Sequence, residues 1–198
     1  MSVRSMAAGL TLLIASVAGQ AGTFTVATYN LENYLDRPTA TRVAKPAASK
    51  AKVRESIRGM APDVLALQEI GTIRALLELR ESLRAEGVDY PHWEHVSGFD
   101  TNIFVAVLSR FPIVARRPIT NATFLLRGRR FMVSRGFAQV DIQVTPRYTF
   151  TLLTAHLKSR RVVAEADEAE IRAQEARLLR QQIDTLLGAN PNVNLVVL

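Results

Sequence analysis

The 198-residue chain contains no cysteine. Disulfides, zinc–thiolate centres and cysteine nucleophiles are therefore excluded. The compartment stays open, because a core of this size needs no disulfide staple. Long apolar runs are missing too: the nearest, from Met6 to Val17, is too short for a membrane span. No internal repeat or low-complexity tract is present. Acidic residues are outnumbered, 18 Asp and Glu against 25 Lys and Arg, which leaves a net charge of +7. That balance favours an anionic partner, whether nucleic acid, a phosphate ester or an anionic membrane surface. It is also the charge of an ordinary basic protein with a solvated face.

What is present fits one domain. Hydrophobic content of 48% and charged content of 22% are usual for a globular chain, and the length suffices to bury a sizeable core. The start reads as a targeting segment. Arg4 supplies a positive beginning, an apolar stretch follows, and Ala18-Gly-Gln-Ala21 offers small residues for cleavage. The expectation is a signal peptide over 1–21, a domain over 22–198 and a secreted or periplasmic protein. An uncleaved anchor or a mis-called start site is the alternative.

Strands are predicted at 24–30, 64–69, 93–96, 104–109, 113–119, 131–133, 137–144, 148–156 and 194–198. Pro146-Arg147 sits where a hairpin would turn. Helices are predicted at 51–60, at 73–86 with Gly87 ending it, and at 164–187 with Gly188 closing it. The last has Ile171, Leu178, Leu179, Ile183, Leu186 and Leu187 on one stripe and acidic residues at its start, which suits the helix dipole. Helices and strands alternate at both ends around a β-rich middle. The pattern is α/β (α+β), with mixed sheets packed face to face and helices outside.

Three of the strands end on a polar residue that a buried strand does not need: Asn30, Glu69 and His156. In α/β proteins active sites gather beyond strand ends. A carboxylate there suits a hard cation such as Mg²⁺, although Glu69 could equally cap the following helix. Asn30 could hold that carboxylate, donate to a phosphate oxygen or simply form a turn. His156 could donate to a phosphoryl oxygen or move a proton, and Lys158, Arg160 and Arg161 beside it favour an anion.

Five segments, Ala27-Thr-Tyr-Asn-Leu31, Asp63-Val-Leu-Ala-Leu-Gln-Glu69, Val107-Leu-Ser-Arg-Phe-Pro-Ile113, Ser134-Arg-Gly136 and Thr154-Ala-His-Leu-Lys-Ser-Arg160, together resemble the endonuclease/exonuclease/phosphatase superfamily, the DNase I-like fold. The likeness runs over about 24–198. It implies a four-layer α/β/β/α sandwich and Mg²⁺-assisted (or Mn²⁺- or Ca²⁺-assisted) hydrolysis of phosphoesters. By resemblance Glu69 ligates the metal, Asn30 serves metal and phosphate, and His156 bonds the scissile phosphate. Lys158 and Arg135 contact the substrate, while Arg110 is architectural.

The same resemblance expects a strand leading into Gly-Asp-x-Asn and a later Asp-His, and neither occurs in the 198 residues. The sandwich is expected to be incomplete and the chain to be inactive by itself. The substrate implied is nucleic acid, supported by the basic residues of 37–58 and by Arg127, Arg129, Arg130 and Arg135. A phospholipid or inositol-phosphate phosphatase and a non-catalytic nucleic-acid-binding protein are the alternatives. No obligate protein partner is evident, and nothing calls for membrane association after signal cleavage.

Overall fold

The computed structural model describes residues 22–162, 164 and 166–198, so the expected signal peptide lies outside the described residues. Among the described residues no helix is long and apolar enough to cross a membrane. The order is β1 (Val26–Tyr34), α1 (Ala47–Met60), β2 (Val64–Ile70), α2 (Ile73–Ala85), β3 (His92–Val96), β4 (Phe104–Ser109), β5 (Ile113–Arg116), β6 (Thr123–Leu126), β7 (Arg129–Met132), β8 (Ala138–Thr145), β9 (Tyr148–Thr154), α3 (Glu168–Ala189) and β10 (Leu195–Val197).

Two four-stranded sheets, ordered β1-β2-β4-β3 and β10-β9-β8-β5, form the centre, and β6-β7 is a separate hairpin. Both large sheets are mixed: β1–β2 and β9–β10 are parallel, with a helix in each crossover, and the other pairs are antiparallel. Period-two alternation sorts each strand into two apolar faces, as a sheet covered on both sides requires. Leu65, Leu67, Ala106 and Leu108 meet Val53, Ile57, Leu76 and Leu79 of α1 and α2. Their neighbours Val64, Ala66, Val105 and Val107 meet Val140, Ile142, Phe150 and Leu152 of the second sheet. On that sheet's far side Leu153 packs with Ile171, Leu178 and Ile183 of α3. The layers are thus α/β/β/α, as expected. Each fully buried Leu, Ile, Val or Phe contributes roughly 1.5–3 kcal/mol.

The departures have local causes. Helix α1 begins at Ala47, four residues early, because Pro46 supplies the extended entry residue. The first turn of α3 starts at Glu168, where the Asp167 carboxylate accepts from Ala169 N and Glu170 N. Gly188 does not close α3: it is helical, and the helix ends at Ala189, with Asn190 N donating to Leu186 O at 3.0 Å. Strand β6 was not predicted. It pairs with β7 across Arg127 and Gly128, whose φ values of 50° and 76° are those of a tight hairpin turn.

One glycine in the Ser134-Arg-Gly136 segment is obligatory. A Cβ on Gly136 would lie 2.4 Å from Ser97 O and 2.8 Å from Ile119 O, while a Cβ on Gly98 would lie 2.4 Å from Gly136 N. Two backbones cross here with no room for a side chain, which draws the loop after β3 against the segment before β8. Thermal melts should therefore move in opposite directions for two alanine substitutions. Gly136→Ala should cost about 3 kcal/mol or more, because backbone must shift. Gly59→Ala, in the last turn of α1 with open space at its Cβ, should stabilise by about 0.5–1 kcal/mol.

Candidate active site

Two chain irregularities coincide at one end of the first sheet. In the β1–β2 ladder Asn30 pairs with Gln68 and Tyr34 with Ile70, so Leu31, Glu32 and Asn33 stand opposite Glu69 alone. The β2–β4 ladder skips Glu69 as well. Glu32, Asn33 and Glu69 have φ values of 47°, 59° and 59°, left-handed backbone that costs of order 1–3 kcal/mol per non-glycine residue. The bulge turns Glu69 out of the apolar alternation of β2.

The edge strand β1 then holds its carboxylate. Asn30 Nδ2 donates to Oε1 at 3.3 Å, and Asn33 N donates to Oε2 at 3.2 Å. Asn30 also accepts from Glu32 N at 2.9 Å. It is therefore both a turn-former and the support of the acid. Glu69 does not cap α2: Thr72 does, accepting from Arg74 N.

His156 lies two residues past β9, on the other sheet, with Nε2 3.7 Å from Glu69 Oε1. Burial pushes its pKa from the ordinary 6.5 to about 4; the Arg135 charge adds to the push and the Glu69 carboxylate opposes it. The ring is neutral at neutral pH. Its Nδ1 is buried without a hydrogen-bond partner among the described residues, an uncommon condition for a buried polar atom. Beneath it, Gln68 Nε2 donates to Thr28 Oγ1 at 2.9 Å and to Thr154 Oγ1 at 3.4 Å. This amide ties β1, β2 and β9 together under the site.

Beside these residues runs a groove of about 320 Å³ lined by Arg42, Asp100, Asn102, Arg135, Lys158 and Arg161. Arg135 forms its floor. It is only 4% exposed, ion-paired with Asp100 at 3.4 Å, and donates to Leu157 O at 3.4 Å. Burial pushes its guanidinium down and Asp100 pulls it back up. Arg42 reaches the same Asp100 at 3.6 Å and donates to Asn33 Oδ1 at 2.8 Å. One carboxylate thus fixes two cations, one of which also braces the turn that holds Glu69. Lys158 curls over its own loop, donating to Arg161 O at 2.6 Å, and burial beside Arg135 lowers its pKa. Fully buried Glu175 of α3 accepts from Ser134 N and Lys158 N. Both loops that edge the groove are therefore tied to one helix.

Of the five expected residues, Asn30, Glu69 and His156 are brought together with Arg135 beside them, and Lys158 lines the adjoining groove with Arg135. His95 is elsewhere, bonded to Gly71 O at 2.9 Å and packed on Phe104. Arg110 pairs with Asp63 and lies over the Tyr90 ring, an architectural placement. Asp184 pairs with Arg180 on the exposed face of α3. Sequence reasoning missed Asn33, Gln68, Asp100 and Glu175. Gln68 inside an apolar strand and Glu175 four residues after Ile171 on the apolar stripe were readable signals. Asp100 had none, because its role depends on residues 58 and 35 positions away in the chain.

Whether a divalent metal fits can be judged from the donors. Among the described residues no three His, Cys, Asp or Glu side chains converge into a metal cage. A single oriented carboxylate with amide support nevertheless suits Mg²⁺, which binds through one or two carboxylates and keeps several waters. Glu69 and Asn30 are the residues that would hold it.

The fold has solved relatives. ANGEL2, described as a 2',3'-cyclic phosphatase, superposes with a TM-score of 0.58 at 16% identity over 88% of this chain and 51% of its own. TDP2 from C. elegans gives 0.57 at 16% over 86% and 45%. An endonuclease/exonuclease/phosphatase from Beutenbergia cavernae DSM 12333 gives 0.55 at 18% over 79% and 43%. At these identities the likeness is one of fold. The chain spans 38% to 66% of the length of such solved chains. No curated protein matches the sequence. The family model for Endonuclease/Exonuclease/phosphatase matches residues 27–198, and the chain belongs to that family.

Proposed function

We propose that this chain carries the metal- and phosphate-holding part of a divalent-metal-dependent phosphoesterase that cleaves phosphodiester bonds in nucleic acid. One observation supports it above the others. The Glu69 carboxylate is held by Asn30 and Asn33 and faces neutral His156 beside a groove edged by Arg42, Lys158 and Arg161. A metal bound at Glu69 would supply Lewis-acid polarisation of a phosphoryl oxygen. Asn30 and Asn33 N orient the carboxylate. His156, uncharged and donor-capable, would give a hydrogen bond to a phosphoryl oxygen. Arg42, Arg135 and Lys158 lower the potential energy of an anion in the groove and draw it in. The description of ANGEL2 as a cyclic phosphatase supports the phosphoester class. The proposal extends to export of the mature domain after cleavage near Ala21, on the strength of the apolar stretch that precedes it.

Mn²⁺ can be followed directly by electron paramagnetic resonance. Glu69→Gln should weaken its binding at least about 10-fold, removing the one oriented carboxylate. Glu32→Gln, whose side chain is 84% exposed, should leave it unchanged; equal losses in both would point to diffuse electrostatics instead. Plasmid nicking tests the reaction itself. Protein that also carries the Gly-Asp-x-Asn and Asp-His segments should cleave only with a divalent ion, stop with EDTA, and fall about 10²–10⁴-fold in His156→Ala, whereas the 198 residues alone should not turn over. Nicking that survives EDTA or Glu69→Ala would refute the assignment.

A further inference from the structure

A second groove of about 490 Å³ adjoins the first, between the β6–β7 hairpin and α3. Phe99, Ser134 and Lys158 line both, so Phe99 stands on the ridge between them. Its ring is 68% exposed, and among the described residues no other aromatic ring pairs with it. An exposed phenylalanine on a loose loop would carry little meaning, but this loop is fixed on both sides. Gly98 is pressed against Gly136. Asp100 N donates to Ser134 O at 2.7 Å, and the Asp100 carboxylate accepts from Asn102 N and holds Arg42 and Arg135. The aromatic face is thus presented on rigid backbone, next to the cations that would take a phosphate.

The chemistry of the second groove is also specific. Phe131 and Met132 give it apolar wall, and Arg129 and Arg130 give it positive charge, with Arg129 lying 5.8 Å from the Phe131 ring centroid. Aromatic surface flanked by cations fits a ligand that alternates flat rings with phosphates. We propose that Phe99 and the β6–β7 hairpin form a nucleobase subsite, in which an unpaired base of a single-stranded nucleic acid stacks on Phe99 while its phosphates run into the Arg42–Lys158 groove. The strand must be single because the bases of a duplex already stack on one another. The inference rests on the phosphoesterase assignment and names the substrate form for the same site.

Binding of fluorescein-labelled oligothymidylate, an abasic oligonucleotide of equal length and a thymidine–adenine duplex, followed by anisotropy without divalent metal, tests it. Phe99→Ala should weaken oligothymidylate binding about 5- to 150-fold, the range expected for one aromatic–base stack, and leave the abasic strand unchanged. Phe99→Trp should retain the wild-type affinity, and the duplex should bind no better than the abasic strand. Unaltered melting temperature confirms that the exposed substitution does not unfold the chain. Equal effects of Phe99→Ala on thymidylate and abasic strands, or none on either, would overturn the subsite while leaving the phosphate groove standing. Failure of every oligonucleotide to bind would instead strike the phosphoesterase assignment. Phe99-dependent capture on phosphatidylserine–phosphatidylcholine vesicles without strand binding would reassign the ridge to a membrane surface.

Discussion

Glu69 sits in the left-handed region inside a parallel ladder, and the rest of the site follows from that unfavourable backbone. A regular β2 would turn residue 69 by strict alternation, into apolar packing. The bulge instead faces it with three residues of β1, two of them left-handed themselves. Such strain persists only where surroundings over-determine it. Here Ile70, Leu31 and Tyr34 are fully or almost fully buried, and Asn30, Asn33 and Arg42 close the polar side. Core burial stabilises the flanks, and the hydrogen bonds choose the direction of the carboxylate.

The electrostatics obey the same economy. Four charged groups, Arg42, Asp100, Arg135 and Glu175, lie near one another with little solvent, yet no like pair is left without an intervening opposite charge or backbone donor. Buried charges require such pairing. Positive charge predominates in the groove lining, where Arg42, Arg135, Lys158 and Arg161 stand against Asp100 among the described residues. His156, deprived of solvent and facing Arg135, stays neutral and so adds a donor without adding charge.

Much of this was legible in the chain. Period-two apolar runs located β2, β4, β8 and β9 within a residue or two, because both faces of each strand are buried and the signal is strong. Asn30, Glu69 and His156 stood out for the converse reason, as polar residues closing apolar runs; Asn30 is exposed and the other two are half-buried. Element ends were less legible where capping came from one residue: Pro46 and Asp167 set helix starts that hydrophobic pattern could not. The β6 strand, Thr123-Phe-Leu-Leu126, was hidden because its partner β7 is rich in arginine and neither joins the main sheets. The bulge and the Asp100 cluster were invisible, since register and long-range pairing leave no local trace. The family resemblance supplied roles for residues, and the geometry supplied the means by which Asn30 and Asn33 carry out theirs.

The inter-sheet amide bond has one more implication. Glu69 rides on the first sheet and His156 on the second, so the gap between acid and imidazole is set by how the two sheets sit on each other, not by either loop. Packed apolar faces of Val and Leu side chains have little directional preference and by themselves permit small slides. Gln68, bonded to Thr28 on its own side and to Thr154 across the interface, acts as a dowel at that plane. The spacing of the reactive groups is thereby made a property of the core, fixed one residue below the surface at which a substrate would arrive.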